Sequence, residues 1–210
     1  MQVDWVTHTP KQKRSQQTLD RLLDAAELLL ADQQFAELSI KAITARAGCS
    51  VGTFYTRFAT KDDLLRSLYG RYMEQSRATL AVWSSPASWE GSSLCEIIGS
   101  LVRFIAGDYA ERRGLRRAFE GAMSGDAELR AMMVELTGET IAGLEVLLQS
   151  RTREHSRVDC GAAAAFVHRL VFGVLDQDLR FDGYPGGHDL DPDQMAAALS
   201  ATLCAWLGVV

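Results

Sequence analysis

The chain has 210 residues, 47% of them hydrophobic and 23% charged, with a net charge of −5. Four prolines and no biased tract exclude a disordered or fibrous polypeptide, and the length allows a core without metal or disulfide staples. The opening stretch MQVDWVTHTPKQKR lacks the apolar run of a secretory signal and nothing approaches a membrane span, so a cytoplasmic protein is expected.

Ala, Leu, Arg, Glu and Gln dominate and alternating β-branched runs are absent, which predicts an all-α fold of about nine helices. Charge is uneven. Residues 1–66 hold nine Lys and Arg against eight Asp and Glu, and the remainder holds thirteen against nineteen. All four lysines, Lys11, Lys13, Lys41 and Lys61, lie in the first part. That split fits an N-terminal module that meets phosphates and an acidic body kept off them. Cys49, Cys95, Cys160 and Cys204 are dispersed, without a CxxC pair or a histidine at zinc-ligand spacing, so four buried thiols, no metal and no cofactor are expected.

In chain order, residues 1–14 read as a flexible arm ending in Lys11, Lys13 and Arg14. Leu19, Leu22, Leu23, Ala26, Leu29 and Leu30 recur at three- and four-residue steps and predict a helix over 15–32. Short helices follow over 39–47 and 51–57, broken by Gly48-Cys49-Ser50. Thr60 with Asp63 opens a long helix that runs to Trp83 and stops before Ser84-Ser85-Pro86. Further helices are predicted over 92–109, 115–123, 127–153 and 159–181. A loop with Gly183, Pro185, Gly186 and Gly187 comes next, and a last helix is opened by Asp191, Pro192 and Gln194.

Two short helices joined by a tight turn let the second enter the major groove while the first lies across the backbone. Here 39–47 would position and 50–58 would read, with Gly48 supplying positive φ at the turn. The run Ile43-Thr44-Ala45-Arg46-Ala47-Gly48-Cys49-Ser50-Val51-Gly52-Thr53-Phe54-Tyr55-Thr56-Arg57-Phe58, continued by Lys61 and Leu64, resembles the signature of the TetR family of transcriptional regulators. Thr44, Cys49 and Val51 are mild departures from its usual residues.

The resemblance implies a DNA-binding domain over 15–76 and an effector-binding and dimerisation domain over 77–210. Tyr55 and Lys61 would meet phosphates, and Arg14 would reach from the arm. Ser39 and Ser50 would be short donors at helix starts, or helix caps alone. Val51, Gly52, Thr53 and Thr56 are the expected base readers. Arg46 and Arg57 are candidates for phosphate or guanine.

One such module touches too few base pairs for specificity, so a homodimer on a near-palindromic double-stranded DNA operator is expected, without membrane involvement. Met195, Leu199, Leu203 and Trp206, with Ala165, Leu170, Val174 and Leu175, are the candidate dimer face. Intramolecular core is their other reading. By the resemblance, a small-molecule effector would enter a pocket among Trp83, Phe104, Tyr109, Phe119, Met123, Met132, Met133, Phe166, His168 and Phe172. Plain core is again the alternative, as is a body that recognises a protein partner. The chain lacks a nucleophile elbow, a phosphate loop and HExxH, so no catalytic residue and no enzyme is expected.

Overall fold

A computed structural model of the chain describes residues 13–181 and 189–209, with side chains from Ser15 onward. The arm expected over 1–14 and the loop with Gly183, Pro185, Gly186 and Gly187 lie outside this description, except that Lys13 and Arg14 begin the first helix. The described residues form α1 (Lys13–Leu30), α2 (Ile40–Ala47), α3 (Val51–Tyr55), α4 (Lys61–Trp83), a 3-10 turn (Pro86–Trp89), α5 (Leu94–Glu111), α6 (Arg113–Met123), α7 (Ala127–Ser150), α8 (Cys160–Arg180) and α9 (Pro192–Leu207). The fold is all-α, as expected, with nine helices and no strand among the described residues.

The predicted ends hold where a cap is written in adjacent residues. Asp191 accepts from Gln194 N–H while the Gln194 side chain accepts from Asp191 N–H, and Pro192 occupies the first turn. They shift where the last turn is irregular. The helix expected over 51–57 stops at Tyr55, because Thr56 caps it and donates its hydroxyl to the Thr53 carbonyl at 2.7 Å.

The chain divides into two compact units, one holding the described residues up to Glu74 with Gly114–Arg130, the other holding Gln75–Arg113 with the described residues after Arg130. In the first, the apolar face of α1 buries Leu19, Leu22, Leu23, Ala26 and Leu30. Ile43 and Ala47 of α2, Phe54, Phe58, and Leu64, Leu65 and Leu68 of α4 complete that core. Burial of each large side chain contributes about 2 kcal/mol, so the sum comes from packing, whereas the helices are too short to form alone. On α6, Phe119 meets Tyr69 edge-on at 4.7 Å and lies 5.9 Å from Tyr72. Arg66 binds Asp126 at 2.7 Å and Asp63 at 2.9 Å.

In the second unit α5 packs along α9, and α8 closes on both. Leu94, Ile98 and Val102 of α5, Val167, Val171 and Leu175 of α8, and Leu199, Leu203 and Leu207 of α9 share one core. The expectation of four buried thiols fails here: Cys95 and Cys204 are joined by a disulfide between α5 and α9. They stand 109 residues apart, so their spacing carried no signal, yet the packing of the start of α5 on the end of α9 brings their Cα atoms to 5.8 Å. Cys160 is a buried thiol and Cys49 a partly exposed one.

Gly114, in α6, lies against the backbone at the end of α1. A Cβ there would fall 1.7 Å from the Leu30 carbonyl oxygen. Because the obstacle is backbone and not a flexible side chain, Gly114→Ala is predicted to cost ~3 kcal/mol or more in urea unfolding. A loss below ~1 kcal/mol would contradict this packing.

Candidate nucleic-acid interface and cavity

The turn between α2 and α3 is built by caps on both sides. The Ser39 hydroxyl accepts from Ala42 N–H at 3.1 Å and starts α2. Gly48 ends it with φ 64°, and the N–H groups of Gly48 and Cys49 return to the carbonyls of Ala45 and Thr44 at 3.2 and 3.0 Å. The Ser50 hydroxyl accepts from Thr53 N–H at 3.1 Å and lies 2.9 Å from the Thr53 hydroxyl. Both serines therefore cap helices, and both remain exposed.

With Phe54 and Phe58 fully buried, the opposite face of α3 is turned outward. Tyr55 is 54% exposed and Val51 42%, and Gly52 and Thr56 are exposed beside them. Thr53 is partly buried behind this face. A Cβ on Gly52 would meet nothing nearer than the Ser50 hydroxyl oxygen at 3.6 Å, so the glycine leaves the face flat without being needed by the protein's own packing. On α2, Lys41 and Arg46 are exposed cations.

Two expected phosphate contacts are committed inside the unit. Lys61 donates to the carbonyls of Phe35, Ala36 and Leu38 at 2.6, 3.1 and 3.0 Å, with its ammonium 4.6 Å from the centre of the Phe35 ring. Three donors on three carbonyls make it a clamp on the α1–α2 connection. Arg57 is only 9% exposed and donates to the Ser15 carbonyl at 3.0 Å and to the Ser15 hydroxyl. The side chain of Arg14 lies outside the described residues. Arg21 and Lys41 are exposed cations that the expected contact residues did not include. Arg21 is exposed on α1, with a guanidinium nitrogen 3.9 Å from where a Cβ would stand on Gly48, a position that helical periodicity alone does not reveal.

The second unit holds a partly open cavity of about 70 Å³ with an apolar wall, lined among others by Leu80, Trp83, Ile98, Gly143, Val171 and Leu207. That exceeds the ~10–15 Å³ one water requires. Of the ten residues expected around a pocket, Trp83, His168 and Phe172 line it. His168 stacks on Phe172 with centroids 4.3 Å apart, and burial, aided by the neighbouring Arg169, pushes its pKa below the ordinary 6.5.

The other seven are not brought there. Phe104 is exposed and packs on Trp83 at 5.6 Å. Tyr109 donates to Asp176 at 2.7 Å and lines a separate cavity of about 220 Å³ with Arg113 and Asp178. Phe119 and Met123 belong to the first unit, Met132 and Met133 are partly exposed on α7, and Phe166 stacks on Trp206 at 4.2 Å. Of the expected dimer face, Leu175, Leu199 and Leu203 are spent in the chain's own core. Ala165, Leu170, Val174, Met195 and Trp206 are partly exposed. Among the described residues no group of His, Cys, Asp or Glu could hold a metal ion, and no helix is long and apolar enough to cross a membrane.

Residues 22–68 match the family model of bacterial regulatory proteins of the tetR family, and that match covers the second half of α1, all of α2 and α3, and the first turns of α4. The fold agrees with solved structures. A protein of Mesorhizobium loti assigned to the TetR-family transcriptional regulators is 17% identical, with 94% of this chain and 98% of that chain covered and a TM-score of 0.74. SmeT, the repressor of a Stenotrophomonas maltophilia multidrug efflux pump, is 21% identical, with 92% of each chain covered and a TM-score of 0.66. GusR of Salmonella enterica is 21% identical, with 91% and 95% covered and a TM-score of 0.65. No curated protein matches the chain by sequence. The resemblance read from the helix-turn-helix run is thereby shown: this is a TetR-type helix-turn-helix on the fold of TetR-family regulators.

Two outcomes are predicted. Lys61→Met leaves three carbonyls without their cation and lowers urea stability by about 2 kcal/mol, while the salt slope of DNA binding stays unchanged. A slope reduced by ~1 with full stability would instead make Lys61 a phosphate contact. The His168 ring, followed by its Hε1 chemical shift, titrates with a midpoint below 6.5, and a midpoint at or above that value contradicts its burial.

Proposed function

We propose that the chain is a sequence-specific DNA-binding transcriptional regulator that meets a near-palindromic operator as a homodimer and is released by a small apolar or aromatic effector. The observation that carries this reading is the exposed face of α3, where Val51, Gly52, Tyr55 and Thr56 stand together on a helix fixed by Phe54, Phe58 and the Ser50 cap. Valine offers a methyl surface to a thymine methyl, and threonine offers a hydroxyl to either base type. Flat Gly52 lets the backbone approach the duplex, and the Tyr55 hydroxyl reaches a phosphate. Lys41, Arg46 and Arg21 supply the cations that Lys61 and Arg57 do not. Few strong base-specific donors lie on this face, so the spacing of two half-sites, set by a dimer, matters as much as base contact.

The apolar cavity supports the sensor reading over a body that only recognises another protein. Its wall is wholly apolar and accepts apolar or aromatic surface, with the rings of Trp83, His168 and Phe172 among the lining side chains. The complex of SmeT with triclosan is a precedent on the same fold. Effector and operator then weaken each other's binding by the same factor.

Gly52→Ala is the sharpest test, because the substitution has room and favours the helix by up to ~1 kcal/mol. Stability is predicted to be retained while affinity for a selected operator falls at least tenfold in a fluorescence-anisotropy titration. Unchanged affinity would remove α3 from the interface. Tyr55→Phe is predicted to weaken operator and random duplex alike, and an altered base preference would contradict its phosphate role.

A further inference from the structure

Cys95 and Cys204 form the one disulfide among the described residues, and each adjoins a residue of the cavity wall. Leu94 precedes Cys95 at the start of α5, and Leu203 precedes Cys204 near the end of α9. Both cysteines are only partly buried, so small oxidants and reductants reach them.

The same two helix ends are otherwise held by hydrogen bonds from the segment after α7. Glu154 accepts from Leu94 N–H at 2.6 Å, and Arg151 donates to the Ser92 carbonyl at 2.7 Å. Ser156 donates its N–H and hydroxyl to the Leu207 carbonyl at 3.0 and 3.1 Å, and Arg157 donates to the Trp206 carbonyl. Breaking the bond therefore leaves both ends in place but free to part, since noncovalent contacts open locally where a covalent link does not.

We infer that Cys95 and Cys204 are a reversible thiol–disulfide switch that sets how firmly the α5–α9 end of the cavity is closed. The inference rests on the regulator reading, because a protein working on chromosomal DNA sits in a reducing thiol pool, where disulfides are characteristically transient and redox-sensing. With a peroxide as oxidant, one thiolate attacks the O–O bond and becomes a sulfenic acid as the first water leaves. The second thiolate displaces hydroxide from that sulfur, so two electrons pass from the two sulfurs to the peroxide and two waters result. A dithiol reductant reverses this by exchange, ending as its own disulfide. In the oxidised state the wall is clamped, and in the reduced state the last turn of α9 loosens and the cavity admits ligand more readily.

The experiment uses the full chain in its native state. Dithiothreitol or a thioredoxin-type dithiol is expected to open the bond without unfolding, so that maleimide labels Cys95 and Cys204, and hydrogen peroxide to restore it with a mass lower by two hydrogens. Amide hydrogen exchange over Leu203–Leu207 is expected to run at least tenfold faster in the reduced protein, and Cys95→Ser to exchange like the reduced protein whatever oxidant is present. A bond that yields to dithiothreitol only after denaturation, or equal exchange in both states, would overturn the switch. Failure of either state to bind any operator would count against the regulator reading and leave the exchange result standing as the test of the switch.

Discussion

The burial of Phe54 and Phe58 is the interaction on which the proposed function depends. A helix of five residues has no stability of its own, since nucleation costs more than one turn of hydrogen bonds returns. α3 is held because Phe54 on its inner side and Phe58 just beyond its end are driven into the core, while the Ser50 and Thr56 caps satisfy its ends. Once that side is buried, the outward side is determined by helical geometry, and Val51, Gly52, Tyr55 and Thr56 are left facing out. Lys61 acts in the same direction from beneath, tying the α1–α2 connection to the start of α4 through three backbone carbonyls. The candidate face is thus held in place by residues that do not belong to it.

The second unit uses burial differently. Its core is continuous through α5, α8 and α9, yet it leaves an apolar cavity that the lining side chains do not fill. An unfilled volume forgoes dispersion contacts, so it is a cost to stability that a ligand can recover. His168 is the titratable side chain among the lining residues, and its burial favours the neutral form.

Much of this was legible in the sequence. The period of Leu19 to Leu30, the turn at Gly48, the short helix after it and the Asp191–Gln194 cap depend on residues close in the chain, where local chemistry decides conformation. What stayed hidden depends on contacts between distant residues. Lys61 and Arg57 look like phosphate ligands until Phe35 and Ser15 are seen to accept from them. Phe119 looks like a pocket aromatic until Tyr69 and Tyr72 enclose it, and Cys95 and Cys204 look like unrelated thiols until α5 and α9 pack. Arg21 was missed because period alone cannot say that the polar face of α1 flanks the turn at Gly48. Leu175, Leu199 and Leu203 show the same limit, since an apolar stripe serves a partner helix of the same chain as readily as a second copy.

The central claim is that the outward face of α3 reads base pairs in a duplex, twice, at a spacing fixed by a dimer. Selection of bound sequences from a pool of random double-stranded DNA tests it most directly. A near-palindrome whose half-site centres lie about one helical turn apart, ~34–36 Å, or a multiple of it, is expected to be enriched. Enrichment of nothing above the starting pool, or of a single site without inverted symmetry, would contradict it.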